Sequence, residues 1–537
     1  MQGAHLAIHP VDFAIIIMYL MGIVALGVWA GLRRGKGEGG AQYFLANKSL
    51  TWPVIGLALF STNISTIHLV SLAQEGYVNG LAYGNFEWMA AFTLVALSLF
   101  FAPFYIRSNV ATLPDFLEKR YNRACRDWLA IISIVSAVFI HIGFSLYTGA
   151  VVLRGLFGIN IMVSIITVAA LTGLYTIVGG LMAVVLTESI QTVVLIVGAV
   201  CITAISYVKI GGWAELTQYV EPVKLTVLRS AEDPSGLPWY SVFLGYPIIG
   251  LWYWCADQTI VQRVLGAKDE NHARVGPLFA GFIKILPVFI FVLPGLLCLG
   301  LINKGVLPAE LNHSADTYAF MITHLLPIGL KGVVAAALLA ALMSTVSGAL
   351  NSIATLFSYD IYKRYRPNTP DRTLVHIGRL VTFIAMIAAI IWSPYVSHFE
   401  SIFQGITAII CYIAPPISAV FVAGIFWKRA SSQAAVVTLW VGLTMGLVVF
   451  FLEWFKDSTG WSVPAMMATF YMFVICMALM IVVSMIHPHR HTDESRKLVW
   501  ASPLEALEGT AWSGIGNFKL LSGLLCAVMI VLYIVFG

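Results

Sequence analysis

The feature that most constrains this chain is a succession of apolar runs, each near the roughly 20 residues a helix needs to cross a bilayer. Fourteen such runs centre near residues 21, 62, 95, 140, 170, 196, 250, 288, 342, 386, 413, 440, 474 and 527. Runs this long and continuous point to helices, because barrel strands would be short and alternating. Only 11% of the 537 residues are charged and 59% are hydrophobic, which leaves no soluble domain. The expected fold class is therefore an all-α polytopic membrane protein with about 14 transmembrane helices. The first run, Phe13 to Ala30, follows no positive segment and shows no convincing cleavage site, so it is expected to be a retained helix.

Charge gives the orientation. Basic residues gather in alternate loops: Arg33, Arg34 and Lys36; Lys119, Arg120, Arg123 and Arg126; Arg263, Lys268 and Arg274; Lys363, Arg364, Arg366, Arg372 and Arg379; Lys428 and Arg429; Arg490, Arg496 and Lys497. Such loops stay in the cytoplasm, which places both termini outside it. The net charge of +5 thus reflects topology, and no nucleic-acid partner is expected. The seven cysteines, Cys125, Cys201, Cys255, Cys298, Cys411, Cys476 and Cys526, lie in or beside the runs. They imply neither a disulfide framework nor a zinc site. Short loops and the lack of an exposed cysteine pair fit a bacterial inner membrane. The bilayer is the expected partner; no obligate protein partner and no organic cofactor is evident.

After a leading helix and loop over 1–49, five spans cover 50–209 and five more cover 238–428, with peripheral helices over 431–537. An odd number of spans makes the second set enter from the opposite side, which is an inverted repeat. Secondary transporters built this way bind solute near the midplane, where the first helix of each half is discontinuous. Each half here opens on an interrupted segment: STNISTIHL, Ser61 to Leu69, and YPIIGLWYWCADQ, Tyr246 to Gln258. The loops Gly211 to Leu237 and His487 to Asn517 can each hold short helices.

Three constellations carry chemistry. Hydroxyl and amide side chains in STNISTIHL could satisfy an unwound backbone and free carbonyls for an ion or solute; they would serve equally as a helix-to-helix contact. In AALLAALMSTVSGALNS, Ala341, Ser344 and Thr345 share one helix face. With the Ser61 and Ile64 carbonyls they could hold Na⁺, a hard cation that takes oxygen ligands, or form a small-residue packing face. Glu87, Glu188 and Lys284 are ionisable groups within spans, where charge is costly and marks a pathway. Lys284 lies mid-span, whereas Glu87 and Glu188 are expected nearer span ends, at the interface. Tyr253 and Trp254 could stack on a sugar ring. HPHRH, His487 to His491, is expected to be solvated and is assigned no site.

The stretches YFLANKSLTWPVIGLALFSTNIS, NFEWMAA, TLPDFLEKRYN, YTIVGGLMAVVLTESIQ, LWYWCADQTIVQRVLGAKD, FIKILPVFIFVLPG and LNSIATLFSYDIYKRY follow one another along the chain. Together they resemble the sodium/solute symporter family, most closely its sodium/glucose cotransporter branch. The resemblance implies a LeuT-type 5+5 inverted-repeat core and Na⁺-driven uptake by alternating access. It implies a Na⁺ site at Ser61, Ile64, Ala341, Ser344 and Thr345, with Glu188 at a position linked to ion coupling. Asn63, His68, Glu87 and Lys284 would bind sugar hydroxyls, Tyr253 would form the inner gate, and Leu72, Phe86 and Phe403 the outer lid. Thr407 replaces a sugar-contacting glutamine and His141 an amide, so a sugar or polyol is expected rather than glucose in particular.

A sodium symporter for a carboxylate or amino acid stays open, because an ammonium such as Lys284 can bind a carboxylate. A non-transporting solute sensor is a further alternative. A membrane enzyme would show a nucleophile with its base, or a metal cluster, and the sequence has neither.

Overall fold

The computed structural model describes residues 9–32, 40–233, 237–309, 311, 313–398, 402–488 and 491–537. Among them the chain is helical; extended contacts amount to two isolated bridges, Leu50 with Ala267 and Arg229 with Pro238. Eleven helices among the described residues are long and apolar enough to cross a bilayer, fewer than the fourteen runs, and the difference has physical causes. The run near 62 is divided into Trp52–Asn63 and Thr66–Asn79. The run near 250 stops at the extended residue Asp257. Those near 170 and 196 merge into Ile161–Ile210, a 50-residue stretch about 75 Å long by helical rise, over twice the thickness of a hydrocarbon core. That stretch breaks at Gly180 (φ 62°, ψ −156°). A Cβ there would sit 2.5 Å from the Tyr43 carbonyl oxygen, so both conformation and space require glycine.

The first helix of each half packs on the second helix of the other: Trp52–Asn63 on Glu270–Ile283, and Trp239–Gly250 on Asn85–Ala96. Small residues permit the approach. A Cβ on Gly56 would lie 2.9 Å from the Gly276 oxygen, and one on Gly250 would lie 2.6 Å from Thr93 Cγ2. The leading helix, Pro10–Leu32, lies along Ile161–Ile210 and Leu330–Leu356. Its Asp12 carboxylate accepts the amides of Gly329 and Gly332 at 2.8 and 2.7 Å, capping the start of Leu330–Leu356, where backbone N–H groups lack partners. Ile402–Phe426, Ser432–Trp454 and Ala465–Ile486 form a bundle. The last helix, Phe518–Phe536, returns to Asn85, whose Oδ1 accepts from the Tyr533 hydroxyl at 3.0 Å.

Two charge expectations are corrected. Arg120, Arg263 and Arg274 are buried rather than displayed in loops. Arg120 shows the reason: its guanidinium donates to the carbonyls of Gly424 and Trp427 at 2.6 and 3.1 Å, satisfying the end of helix Ile402–Phe426. His491 is not simply solvated either. Its Nδ1 lies 3.0 Å from Ser495 Oγ and its Nε2 contacts the Lys428 carbonyl. Burial lowers its pKa. His489 and Arg490 lie outside the described residues.

Candidate ion and solute site

The site grows from the break in STNISTIHL. Ile64 (φ −77°, ψ 105°) and Ser65 (φ −99°, ψ 173°) are extended, so the end of Trp52–Asn63 loses its next-turn donors. The Ile64 amide still closes onto the Phe60 oxygen at 3.0 Å. The following carbonyls are met from Leu330–Leu356: Ser344 Oγ donates to the Ser61 oxygen at 2.8 Å and Thr345 Oγ1 to the Thr62 oxygen at 3.2 Å. Both hydroxyls also reach the Ala341 oxygen, at 3.0 and 3.2 Å. Ser61, Ala341, Ser344 and Thr345 thus converge, with Ile64 at the break itself. All five are buried. Carbonyls and hydroxyls without formal charge fit a desolvated monovalent cation better than a divalent one.

The second helix of the break is held by its own residues. The Ser65 amide donates to His68 Nδ1 at 3.2 Å, so a neutral His68 carries its proton on Nε2. Asn63, the last residue before the break, turns to the other half of the chain. Its Nδ2 donates to the Tyr253 hydroxyl at 3.2 Å, and its Oδ1 accepts from Lys284 Nζ at 2.5 Å.

Lys284 also forms an ion pair with Glu87, and its ammonium lies 5.5 Å from the centre of the Trp254 ring, a cation–π contact. Lys284 and Glu87 are 1% and 2% exposed, which overturns the interface position expected for Glu87. The backbone explains how a lysine reaches this depth. Pro287 removes a donor and loosens the helix at Lys284–Ile285, and the Trp88 indole donates to the Ile285 oxygen at 3.2 Å.

Glu188 is likewise interior. It is fully buried, accepts from Thr62 Oγ1 at 2.8 Å, and accepts a bidentate pair from the Nε and Nη2 edge of Arg263. Sequence reasoning missed Arg263 by assigning it to a cytoplasmic loop. Its signal was the run of polar residues Asp257, Gln258 and Gln262 leading to it, which a loop does not require and a buried helix must satisfy.

One cavity of about 130 Å³ is lined by Asn63, His68, Glu87, Tyr253, Trp254, Lys284 and Thr407, together with Leu72 and Phe86. The side chain of Phe403 lies outside the described residues. His141, Ser145 and Tyr246 join the lining. Tyr246 donates to the Phe86 oxygen at 2.8 Å, and His141 Nε2 meets Asp257 Oδ2 at 3.0 Å. The arrangement offers fixed polar groups and ring faces to a small solute beside an oxygen-lined ion position. Among the described residues no group of three or more His, Cys, Asp or Glu side chains is placed to hold a metal ion.

The family model described as the sodium:solute symporter family matches residues 43–442. The chain belongs to that family. It is a multi-pass transporter, not an enzyme. A sodium/glucose cotransporter 4 of Danio rerio is 34% identical over 481 residues, covering 84% of this chain and 73% of its own. A sodium/glucose cotransporter 1 of Ovis aries is 34% identical over 487 residues, with the same coverage. A sodium/mannose cotransporter of Bos taurus is 34% identical over 531 residues, covering 91% and 89%. Among solved structures, a Na⁺-coupled sialic acid symporter superposes with a TM-score of 0.79 at 21% identity, covering 90% of this chain and all of that one. The nucleobase-cation symporter Mhp1 gives 0.53 at 14% identity, covering 86% and 98%. The fold is of the LeuT type these transporters share.

Proposed function

We propose that this symporter uses Na⁺ to import a sugar or polyol by alternating access. The observation that carries the reading is the double role of the first broken helix. The Ser61 and Thr62 carbonyls meet the hydroxyls of Ser344 and Thr345, while the adjacent Asn63 holds Lys284 and Tyr253. Na⁺ would lie among the oxygens of Ser61, Ile64, Ala341, Ser344 and Thr345, the two hydroxyls turning lone pairs toward it. Solute would take hydrogen bonds from Asn63, His68, Glu87, Lys284 and Thr407, over Tyr253 and Trp254. Because Glu87 matches the charge of Lys284, the cavity favours a neutral hydroxylated solute over a carboxylate or amino acid. The sodium/glucose and sodium/mannose cotransporters to which the chain is similar support the same class.

Coupling follows from linkage. Na⁺ orders the broken helix and favours the form closed at the Tyr253 end; it thereby raises solute affinity, and solute must raise Na⁺ affinity equally. Leu72 and Phe86 form the outer lid and Tyr253 the inner gate. Glu188 and Arg263 carry the ion's presence from Thr62 to the second half of the chain. Each Na⁺ crossing 100 mV supplies about 2.3 kcal/mol beyond its concentration gradient. Both termini lie outside the cytoplasm, in a bacterial inner membrane.

Uptake of labelled sugars, inositols and carboxylates into proteoliposomes, with and without an inward Na⁺ gradient, tests the reading. Sugar or inositol uptake that collapses without Na⁺ is expected. Na⁺-dependent uptake of carboxylates alone would replace the solute assignment, and no gradient-dependent uptake would favour a sensor.

A further inference from the structure

His141, which joins the cavity lining, and Asp257 form a buried polar pair to which the proposed function gives no role. His141 lies on the segment Ala137–Phe144 of the first half, and Asp257 occupies the break after Leu251–Ala256 in the second half. Their side chains are 8% and 7% exposed, with Nε2 to Oδ2 at 3.0 Å. The other carboxylate oxygen, Oδ1, accepts the Thr259 amide at 2.6 Å, which fixes Asp257 as the cap of Gln258–Leu265 and leaves Oδ2 for the imidazole.

The pair stands at the end of the cavity away from Leu72 and Phe86. Tyr246 touches Phe86, and Asp257 follows it by eleven residues, about 16 Å at 1.5 Å per residue. Beyond the pair the protein is closed. Gln258–Leu265 is buried along its whole length, and Gln262 Nε2 donates to the Phe44 oxygen at 3.0 Å. One side chain from each half therefore meets across the seam that must part for solute to leave on that side.

Few other charges face the imidazole; Arg263, six residues past Asp257 on Gln258–Leu265, is paired with Glu188. Tyr253, with its ring 6.1 Å away, comes from the Asp257 element, and the Lys284–Glu87 pair and His68 lie across the cavity. Helix Asp371–Trp392 meets Gly143 through Trp392; its charged residues, Asp371, Arg372, His376 and Arg379, are at least thirteen residues away, about 20 Å along the helix. Helix Leu330–Leu356 carries one charged side chain, Lys331, at its start. The His141 helix itself carries Arg154 thirteen residues on and Asp127 and Arg126 at least fourteen before. Helix Ile402–Phe426 brings Cys411 and Tyr412, the helix continuing from His141 brings Tyr147, and the turn Ser393–His398 brings Tyr395.

We infer that the His141–Asp257 pair is a proton-binding site on the transport path, and that a proton held there latches the inner closure. A neutral imidazole makes an ordinary hydrogen bond to Asp257, whereas an imidazolium makes a charge-assisted one of roughly twice the strength. The proton adds to the free ring nitrogen, both nitrogens then carry N–H, and the pair changes from net −1 to neutral. Na⁺ and the proton both favour the closed form, so each raises the affinity of the other.

This rests on the symport reading for the Na⁺ site and for the meaning of inner and outer, and its test uses no solute. Na⁺ is titrated into the purified full-length protein by its effect on tryptophan fluorescence at about pH 5.5 and about pH 8, either side of the ordinary histidine range. The affinity is expected to be about fivefold higher at the acidic pH, the step from a neutral to a charge-assisted hydrogen bond. In His141→Gln the difference falls below about twofold. A wild-type affinity independent of pH, or a His141→Gln variant that keeps the wild-type difference, overturns the inference. If His141→Gln does not fold, isotope-labelled histidine NMR reads the same group. A histidine ring whose signals change with pH in the wild type and whose response is altered in Asp257→Asn supports the inference, and no ring whose response differs between the two proteins overturns it. Failure of sugar uptake would leave both readouts intact.

Discussion

Lys284 Nζ meets Asn63 Oδ1 at 2.5 Å, joining the last residue before the break of the first half to a loosened turn in the second. Through Asn63 the solute cavity is one residue from the Thr62 carbonyl and two from that of Ser61, the oxygens that Ser344 and Thr345 reach. The proposed ion and solute positions are therefore neighbours along one backbone. That adjacency makes the two sites separable by mutation yet coupled in binding.

Ser344→Ala removes one oxygen from the ion position and leaves the cavity lining unchanged. Hydrogen-bond-strength interactions with a charged partner are worth roughly 1.5–3 kcal/mol, so the Na⁺ concentration for half-maximal uptake should rise about tenfold or more. The order of preference among solutes should stay the same. Uptake measured against Na⁺ concentration for several solutes checks both statements.

Lys284→Ala does the reverse: solute affinity falls more than Na⁺ affinity. It also strands Glu87, a buried carboxylate, which costs about 3–5 kcal/mol of stability. The double variant Lys284→Met with Glu87→Gln removes the stranded charge. It should recover thermal stability in detergent without recovering uptake, and recovery of both would mean that neither side chain contacts solute.

Arg263→Gln leaves Glu188 without its guanidinium in a fully buried setting. A loss of about 3–5 kcal/mol is expected, and adding Glu188→Gln should restore much of it. Gly348→Ala disturbs the same pair sterically, since its Cβ would fall 2.5 Å from Arg263 Nη2 and 2.9 Å from Thr62 Cγ2. Gly155→Ala, with nothing within 4 Å, is the control. Thermal melts and Na⁺ titrations of the two alanine variants should differ, with the Gly348 change the harmful one.

Asp12→Ala removes the carboxylate that caps Leu330–Leu356 from outside that helix. About 1 kcal/mol of stability should be lost, read as a lower melting temperature, with Na⁺ affinity at Ser344 and Thr345 little changed because they lie more than three turns further along the helix.

Helix class and the broken segment were legible because apolar length and helical spacing are local properties, whereas the meeting of Ser344 with Ser61, 283 residues apart, was one of two readings the residues allowed. The span count was less so. Helices counted by length join the runs near 170 and 196 across the Gly180 kink, and split the run near 62 at Ile64 and Ser65. Charges inside the fold were the hardest to read. Arg263 follows an apolar run as loop arginines do, and only its pairing with Glu188, 75 residues away, distinguishes it. Glu87 and Glu188 looked interfacial for the same reason: their partners, Lys284 and Arg263, come from the other half of the chain. The His141–Asp257 contact, 116 residues apart, could not be read from either segment alone.

The central claim is that one broken helix couples Na⁺ to a hydroxylated solute, and calorimetry on the purified protein tests it most directly. The best solute from the uptake panel is titrated with and without saturating Na⁺, and Na⁺ with and without saturating solute. The account predicts that each ligand raises the affinity of the other by the same factor, and that Lys284→Ala weakens solute binding while Na⁺ still binds. Solute binding of equal strength with and without Na⁺ would contradict it.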